Sequence, residues 1–563
     1  MKNIIKIFSI LFLGTSLTTS CIKEIDPQSN LVTKDQAANA PGSFQKFVDA
    51  IESSMCGKYG YWPGKDFPFD YGYPSFMHIF DVMGQDIALE DGNDHYTTWY
   101  GCGVALGPQY AICQMPWTYY YNWIKSCNTV ISLAGAEPAA DKRHGAGIAY
   151  AMRAMFYMDL ARMFSQKSYA FDKNAETVPL VIETTQISDL SNNPRATNEK
   201  IWGQIIADLN QAESLLEGYE RTNVYTPNIS VVYGFKARAY LTMENWAEAE
   251  RYAKLAQKGY TPLTEEQYLS RTDGFNTPTS AWMYGVTFRE DDPCITNVDG
   301  DNSWGTHMIL EVLNSGMGYA ANYGAPKRID AHLYKTIPAT DFRKKCFVDF
   351  AIDQIANEKE AIQALAAYSD VPDEVYKTGK QNTNSKTVGG LELKFRPKNG
   401  EHIDQYKAWT VAVPLMRVEE MMLIEAEAAG MQDEGRGITL LTNFAKLRDP
   451  QYEYGKHQEN YESDYATAFQ NEVWWQRRVE LWGEGFGMAD IKRLDKGVIR
   501  SYAGTNHPET MRWNIGGYTS NAGNHHPDWM DWCIVQTETN FNKACTNNPT
   551  PINPGKDSPE HVW

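Results

Sequence analysis

Small residues at helical spacing between residues 231 and 262 restrict the fold of this chain more than any other feature. The pattern comprises Ala237, Tyr240, Ala249, Ala253, Ala256 and Pro262. Small side chains allow two antiparallel helices to approach closely, and Trp246 falls in the turn expected between them. The segment therefore predicts a tight helical hairpin.

The frame of this hairpin is close to that of a tetratricopeptide repeat, although a generic helical hairpin would satisfy the same spacing. One such unit cannot bury its own apolar face, so neighbouring helices must stack against it. Helical periodicity predicts these neighbours at residues 121–131, 146–164, 201–216, 415–429 and 465–482. We therefore expect a mostly α fold built from stacked hairpins.

Residues 263–400 have a different composition, rich in Gly, Pro, Asn, Asp and aromatic residues. This composition predicts loops and a few short strands, with one helix around residues 357–367. Long loops on a rigid helical scaffold commonly carry binding residues. The segment is therefore the first place to expect a ligand site.

The N-terminus has the pattern of an export signal. Lys2 and Lys6 flank an apolar stretch, residues 4–17, that is too short to span a bilayer. Small residues and then Cys21 follow, which resembles a bacterial lipobox in a relaxed form. The alternative is an ordinary signal with an incidental cysteine.

We predict four regions from these features. Residues 1–20 are a signal peptide and residues 21–40 a tether lipidated at Cys21. Residues 41–262 form an N-terminal helical region, and residues 263–563 form a C-terminal region with a loop-rich insertion and closing helices.

Charge and cysteine content exclude several functions. The chain has 70 acidic and 52 basic residues, a formal charge of −18, which repels nucleic acid. The eight cysteines after Cys21 are scattered without a CxxC pair, so no zinc site is predicted. Either Cys102 and Cys113 pair locally, or the cysteines are buried free thiols.

Five stretches, in order along the chain, carry a family resemblance. They are Arg153-Ala154-Met155-Phe156-Tyr157 with Val178-Pro179-Leu180, Asp208-Leu209 with Ala212, residues 413–428 (VPLMRVEEMMLIEAEA), residues 476–493 (QRRVELWGEGFGMADIKR) and residues 532–540. Together they resemble the SusD/RagB family of outer-membrane lipoproteins. Gln476 stands where the family usually has Glu, and Phe486 where it has a basic residue.

The resemblance implies a SusD-like fold, in which tetratricopeptide-type hairpins form a scaffold for a loop-rich, minor-β ligand-binding region. It also implies a lipid anchor on the outer face of the outer membrane. Members of the family pair with a SusC-like TonB-dependent barrel. They hand over glycans to that barrel, or peptides in some branches.

Candidate ligand-binding residues are aromatic and polar side chains that cluster in loops, because sugars offer flat C–H faces and rims of hydroxyls. One cluster is Asp94, His95, Tyr96, Trp99 and Tyr100, and the other is Asn302, Trp304, Tyr319, Asn322, Tyr323 and Arg328. A third set, assigned to a transporter interface or to packing, is Tyr61, Trp62, Phe67, Phe69 and Tyr71. For each single ring, core packing is an equal alternative.

No catalytic motif is visible, since the chain lacks HExxH, GxSxG and Walker A patterns. The carboxylates near Glu480 stand beside Arg477 and Arg478, and Arg417 stands beside further acidic residues, which predicts structural ion pairs rather than acid–base catalysis. No cofactor is predicted. Calcium at the acidic stretch that includes Asp291 and Asp292 is left unassigned because EF-hand spacing is absent.

The sequence therefore favours a surface glycan-binding lipoprotein that is not an enzyme and that delivers oligosaccharide to a TonB-dependent barrel. The same role with peptide cargo is an alternative, and so is a helical-repeat adaptor without a small ligand. A lipoprotein hydrolase is disfavoured, because no catalytic arrangement of residues is present.

Overall fold

The structure is a computed structural model that describes residues 40, 42–58, 67–89, 94–296, 302–310, 326–370, 387–520, 530–551 and 558–563. Phe44–Trp563 form one compact unit. Met1–Ser43 form a separate unit, of which only the last few residues are described. The predicted signal peptide, the tether and Cys21 lie outside the described residues.

The described chain is mostly helical, as expected. Its helices of ten or more residues are α1 (Ser43–Ser53), α2 (Tyr73–Val82), α3 (Ala111–Ala134), α4 (Arg143–Phe164), α5 (Asn198–Leu215), α6 (Ile229–Thr242), α7 (Trp246–Ala256), α8 (Val418–Gly430), α9 (Glu434–Ala445) and α10 (Ala468–Glu480). Shorter helices are Thr97–Gly101, Glu265–Tyr268, Pro293–Thr296, Trp304–Met308, Ala331–Thr336, Glu358–Leu365, Gln405–Ala408, Gly487–Arg493 and Gln536–Phe541.

Helices α3 to α9 stack in sequence order, each packed against the next, and α10 closes the stack against α8 and α9. The hairpin α6–α7 stands where the small-residue pattern predicted it. Ala237, Ala249 and Ala253 are fully buried between the helices. Asn245 caps α7 by accepting a hydrogen bond from the Glu248 amide at 3.4 Å. Trp246 is the first residue of α7 rather than part of the turn.

Several other predicted helices begin at the residues that the sequence marks as caps. The Thr197 side chain accepts from the Lys200 amide at the start of α5, and Asn357 caps the helix Glu358–Leu365. The prediction for residues 415–429 is partly wrong, because Leu415 lies in a strand and α8 begins only at Val418. The buried β-branched and apolar run before Arg417 satisfies a strand equally well.

The strands are short and form four antiparallel pairs: β1 (Ile87–Ala88) with β5 (Arg328–Ile329), β2 (Glu176–Pro179) with β3 (Arg195–Thr197), β4 (Trp282–Thr287) with β6 (Ala412–Arg417), and β7 (Val498–Ile499) with β8 (Asn514–Ile515). The β4–β6 pair joins the loop-rich segment to the helical stack, because β4 belongs to that segment and β6 leads directly into α8. This pair fixes where the loop-rich segment meets the scaffold.

A buried network of charged side chains surrounds Glu480 at the end of α10. The Glu480 carboxylate accepts from Arg448 at 2.9 Å and from Arg343 and Arg417 at 3.2 Å. All four side chains are at most 1% exposed. Burial alone would raise the pKa of Glu480, but the arginines outweigh it and hold the pKa well below its usual range.

The network extends from Glu480 to charged residues of α8 and of the segment after α10. Arg417 also binds Glu419 and Glu484, each at 2.8 Å, and Lys394 binds Glu484 at 2.6 Å. Further pairs are Arg238–Glu420, Arg493–Glu427, Arg477–Asp490 and Arg478–Asp86. The interpretation of these residues as structural ion pairs is confirmed, but Arg477 and Arg478 pair with Asp490 and Asp86 rather than with Glu480 and Glu484.

The cysteines of the described chain are free and buried, so the local Cys102–Cys113 disulfide is wrong. Each of these two thiols instead contacts a backbone carbonyl, Trp99 O for Cys102 and Leu106 O for Cys113. Within the described ranges, no three His, Cys, Asp or Glu side chains are grouped to hold a metal ion. No helix in those ranges is long and apolar enough to cross a bilayer.

Removing the charge of Glu480 should destabilise the protein strongly. In Glu480→Gln, three buried arginines lose their shared counter-charge, so the free energy of unfolding should fall by about 3–5 kcal/mol. Chemical denaturation measures the change. Glu453→Gln is the control, since Glu453 is 75% exposed and its pairing with Lys456 is loose. Equal stability of the two variants would contradict the role of Glu480.

The same network predicts acid sensitivity. The pKa values of Glu480, Glu484 and Asp490 are lowered by neighbouring cations despite their burial. A lowered pKa stabilises the folded state above the ordinary carboxyl pKa of about 4, and this stabilisation is lost as the pH falls toward the lowered values. Unfolding measured below pH ~4.5 should therefore show a shallower loss of stability in Glu480→Gln than in the wild type. Parallel pH profiles would exclude this contribution.

Candidate functional site

The structure brings together the three loop segments that the sequence marked as candidates. Phe69 packs edge-on to Trp99 with ring centroids 4.8 Å apart. The His307 ring lies 5.2 Å from Tyr96 and 5.7 Å from Tyr71. We refer to the assembled rings as the aromatic cluster: Phe67, Phe69, Tyr71, His78, Tyr96, Trp99, Trp304 and His307.

Local turns and one ion pair position these rings. The Asp94 carboxylate accepts from the Tyr96 amide at 2.8 Å and so starts the short helix Thr97–Gly101 that carries Trp99. Ser303 caps the helix Trp304–Met308 by accepting from the Thr306 amide. A buried ion pair between Asp94 and Lys327 joins the two candidate loops. The cluster is therefore fixed by contacts between segments more than 200 residues apart in sequence.

The expectation that these rings offer exposed stacking faces is wrong for four of them. Tyr96, Trp99 and Tyr100 are 0% exposed and Trp304 is 1% exposed. Their large apolar area is covered by neighbouring rings, for example Trp304 by Phe395 at 5.3 Å, because burial of an aromatic side chain is strongly favourable. Tyr100 lies apart, stacked under the Arg500 guanidinium at 4.0 Å. These rings hold the loops together and cannot stack on a surface-bound sugar.

The polar candidates are also mostly internal. Asp94 and Asn302 are buried, and Arg328, which lies in β5, hydrogen-bonds Thr387. His95 is half-buried at the edge of the cluster. Tyr319, Asn322 and Tyr323 lie outside the described residues, as do Tyr61 and Trp62. A ligand-binding role for the polar candidates stays a prediction.

The interior of the aromatic cluster is electrically neutral apart from the Asp94–Lys327 pair. Burial, followed by the charge of Lys327, lowers the pKa of His307 to about 3 and that of His78 well below its usual range. The Tyr96 hydroxyl donates to the Tyr71 hydroxyl at 2.6 Å, and burial raises the pKa of both. Uncharged histidines and protonated tyrosines at this depth fit a packing role rather than acid–base chemistry.

Two aromatic side chains of the cluster region are partly accessible. Phe67 and His95 are both half-buried. Phe67 stacks on Phe69 at 5.3 Å, and His95 lies edge-on to His307 at 6.0 Å. These two rings therefore form the outward edge of a rigid, buried foundation.

The structure contains a separate cleft of about 520 Å³ that the sequence did not predict. It is bounded by α1, the middle of α4 and residues 219–227, with Tyr284 at its base. These segments carry no shared motif and are far apart in sequence. Only the chain fold brings them together, so no sequence signal could have located the cleft.

Residues 81–241 match one family model, which is described as SusD-like and "Starch-binding associating with outer membrane". This range begins at the end of α2 and ends in α6. No curated protein sequence matches the chain significantly.

Solved structures match the fold over nine tenths of the chain. A SusD-like carbohydrate-binding protein from Bacteroides vulgatus is 21% identical, with a TM-score of 0.66 over 90% of this chain and 97% of that one. A SusD superfamily protein from Bacteroides thetaiotaomicron is 19% identical, with a TM-score of 0.64 over 92% and 100% of the two chains. Surface glycan-binding protein A from Bacteroides thetaiotaomicron, in complex with laminarihexaose, is 15% identical, with a TM-score of 0.62 over 90% and 98%.

Trp99→Ala should act on stability, because it leaves a cavity in the aromatic cluster. We expect the free energy of unfolding to fall by about 3–5 kcal/mol. Trp99→Phe keeps one aromatic ring, and the indole N–H that it loses has no hydrogen-bond partner among the described residues, so its loss of stability should be smaller. Denaturant titration of both variants tests this, with Val104→Ala, at a 42% exposed position, as control. A wild-type-like Trp99→Ala would show that the indole is not part of the core.

Proposed function

We propose that this chain is a SusD-like cell-surface glycan-binding lipoprotein that captures oligosaccharide and delivers it to a TonB-dependent outer-membrane transporter. The observation that carries the proposal is the SusD-like fold, which extends over nine tenths of the chain. A protein with this fold binds laminarihexaose.

The proposed glycan contacts lie along the outward edge of the aromatic cluster. Phe67 and His95 are its partly accessible rings. Tyr319, Asn322 and Tyr323, which lie outside the described residues, are kept as further candidate contacts from the sequence. The buried rings below hold the edge rigid, and a preformed surface loses little conformational entropy when a ligand binds.

Capture without bond cleavage fits the chemistry of this region. The histidines of the aromatic cluster are held neutral, and the buried carboxylate of Asp94 is bound to Lys327. General acid–base catalysis needs a titratable group that is free to exchange a proton with the substrate. Stacking and hydrogen bonding to sugar hydroxyls need none.

The membrane and transporter roles follow from the family in this proposal. Cys21 would carry the lipid and residues 22–40 would act as a tether. A SusC-like barrel would receive the captured glycan. The family model is described as associating with the outer membrane, which supports this location.

Glycan affinity should depend on the accessible rings rather than on the buried ones. We expect calorimetry of residues 22–563 to detect binding to at least one member of a glycan panel. Phe67→Ala and Tyr323→Ala should each weaken it about 5- to 150-fold, by analogy with stacking on other rings. Tyr110→Ala, at a 47% exposed position that is not part of the aromatic cluster, is the control.

The same titrations separate the alternatives. Binding of peptides but not glycans would mean that the protein has the same transport role with peptide as its cargo. Binding of neither would favour a helical adaptor. Glycan affinity that is unchanged in both ring variants would reject the proposed edge while leaving the function intact.

A further inference from the structure

The 520 Å³ cleft has the size and lining of a small-molecule site, and it shares no residue with the aromatic cluster. Ligand pockets commonly measure about 300–1,000 Å³ and combine an apolar base with a few polar groups. Ile51, Ile148 and Met152 contribute buried apolar surface to the base of this cleft. Its rim carries charged, amide and hydroxyl side chains.

The Tyr284 hydroxyl, at the cleft, donates its hydrogen bond to a weak acceptor. Its side chain is 1% exposed, and its ring packs against Phe235 with centroids 6.2 Å apart. Its hydroxyl donates to the Met152 sulfur at 3.2 Å, and both residues line the cleft. A thioether is a weak acceptor, so a ligand hydroxyl at this position would satisfy the buried phenol better.

The walls of the cleft are held in place before any ligand arrives. Thr226 donates to the Glu52 carboxylate at 2.7 Å, which fixes residues 219–227 against α1. The Tyr225 amide donates to the Asn223 side chain at 2.8 Å. Tyr219 packs on His144 with centroids 4.9 Å apart. Tyr219 and Tyr225 are therefore two half-buried rings on an ordered wall.

The charges at the rim are balanced. Asp49 and Glu52 supply two carboxylates, and Lys46 and Arg289 supply two cations. A site for an anion or a cation concentrates charge of the opposite sign, so this rim does not select a charged ligand. Aromatic walls, a buried phenol and balanced polar groups suit a ligand with apolar C–H faces and many hydroxyls.

We propose that this cleft is a second carbohydrate site, which takes one or two neutral sugar units with their rings against Tyr219 and Tyr225. The proposal rests on the glycan-binding function above and adds a short-saccharide site on another part of the surface. A glycan chain bound at the aromatic edge and a short saccharide bound in the cleft would then occupy separate parts of one protein.

Saturation-transfer NMR with the mature chain tests the cleft, using maltose, cellobiose and laminaribiose as probes. We expect at least one disaccharide to bind. Ala50→Trp places an indole at an exposed position that lines the cleft, and Tyr225→Ala removes a wall ring. Each should weaken disaccharide binding about tenfold or more. Ala247→Trp, an exposed position on α7, is the matched control for adding an indole.

The outcomes distinguish the cleft from the wider function. Disaccharide binding that is unchanged in both Ala50→Trp and Tyr225→Ala overturns the proposal that the cleft is a carbohydrate site and leaves the proposed glycan-binding function in place. Polysaccharide that retards the protein in affinity gels while no disaccharide binds also overturns the cleft alone. Absence of binding to disaccharides and polysaccharides alike overturns both proposals. Circular dichroism of each variant checks that its fold is intact.

Discussion

The buried carboxylate of Glu480 is the interaction on which the rest of the structure depends. Three arginines from three different segments converge on it, at positions 343, 417 and 448. Arg417 ends β6 just before the scaffold helix α8, and Arg343 belongs to the loop-rich segment. A charge at this depth is tolerated only when its partners are complete, so the segments must meet in one arrangement.

Helix α10, which ends with Glu480, also links this network to the candidate site. Arg478 of α10 binds the Asp86 carboxylate, and the Trp482 indole donates to the Asp86 carbonyl at 2.9 Å. Asp86 immediately precedes β1, which pairs with β5. Directly before β5 stands Lys327, the partner of Asp94. A continuous series of polar contacts thus runs from the end of the helical stack to the base of the aromatic cluster.

Local sequence signals predicted the scaffold well, because the interactions that specify it lie within a few residues of each other. Thr197 begins α5, and the alanines of α6 and α7 lie between the helices as their spacing indicates. The sequence predicted that Glu480 and Glu484 form ion pairs, but the arginines one turn away, Arg477 and Arg478, bind Asp490 and Asp86 instead. The partners Arg343 and Lys394 were not predicted, because they come from distant loops.

The candidate site was predicted in location but not in orientation. Aromatic residues in loops mark both displayed and packed surfaces, and composition does not separate the two. Trp99 and Trp304 face inward because Phe69 and Phe395 cover them, and those contacts depend on the complete fold. The cleft beside α1 depends on long-range folding in the same way, and so left no trace in the sequence.

The position of Glu480 near the C-terminal end has a consequence for biogenesis. Glu480 and Arg343 are 137 residues apart, and Arg478 and Asp86 are 392 apart. Before α10 is present, Arg343 has Asp341 and Arg417 has Glu419, but the carboxylate on which all three arginines converge is missing. The buried ion network of this fold is therefore completed only when the segment around residue 480 joins the segments that precede it.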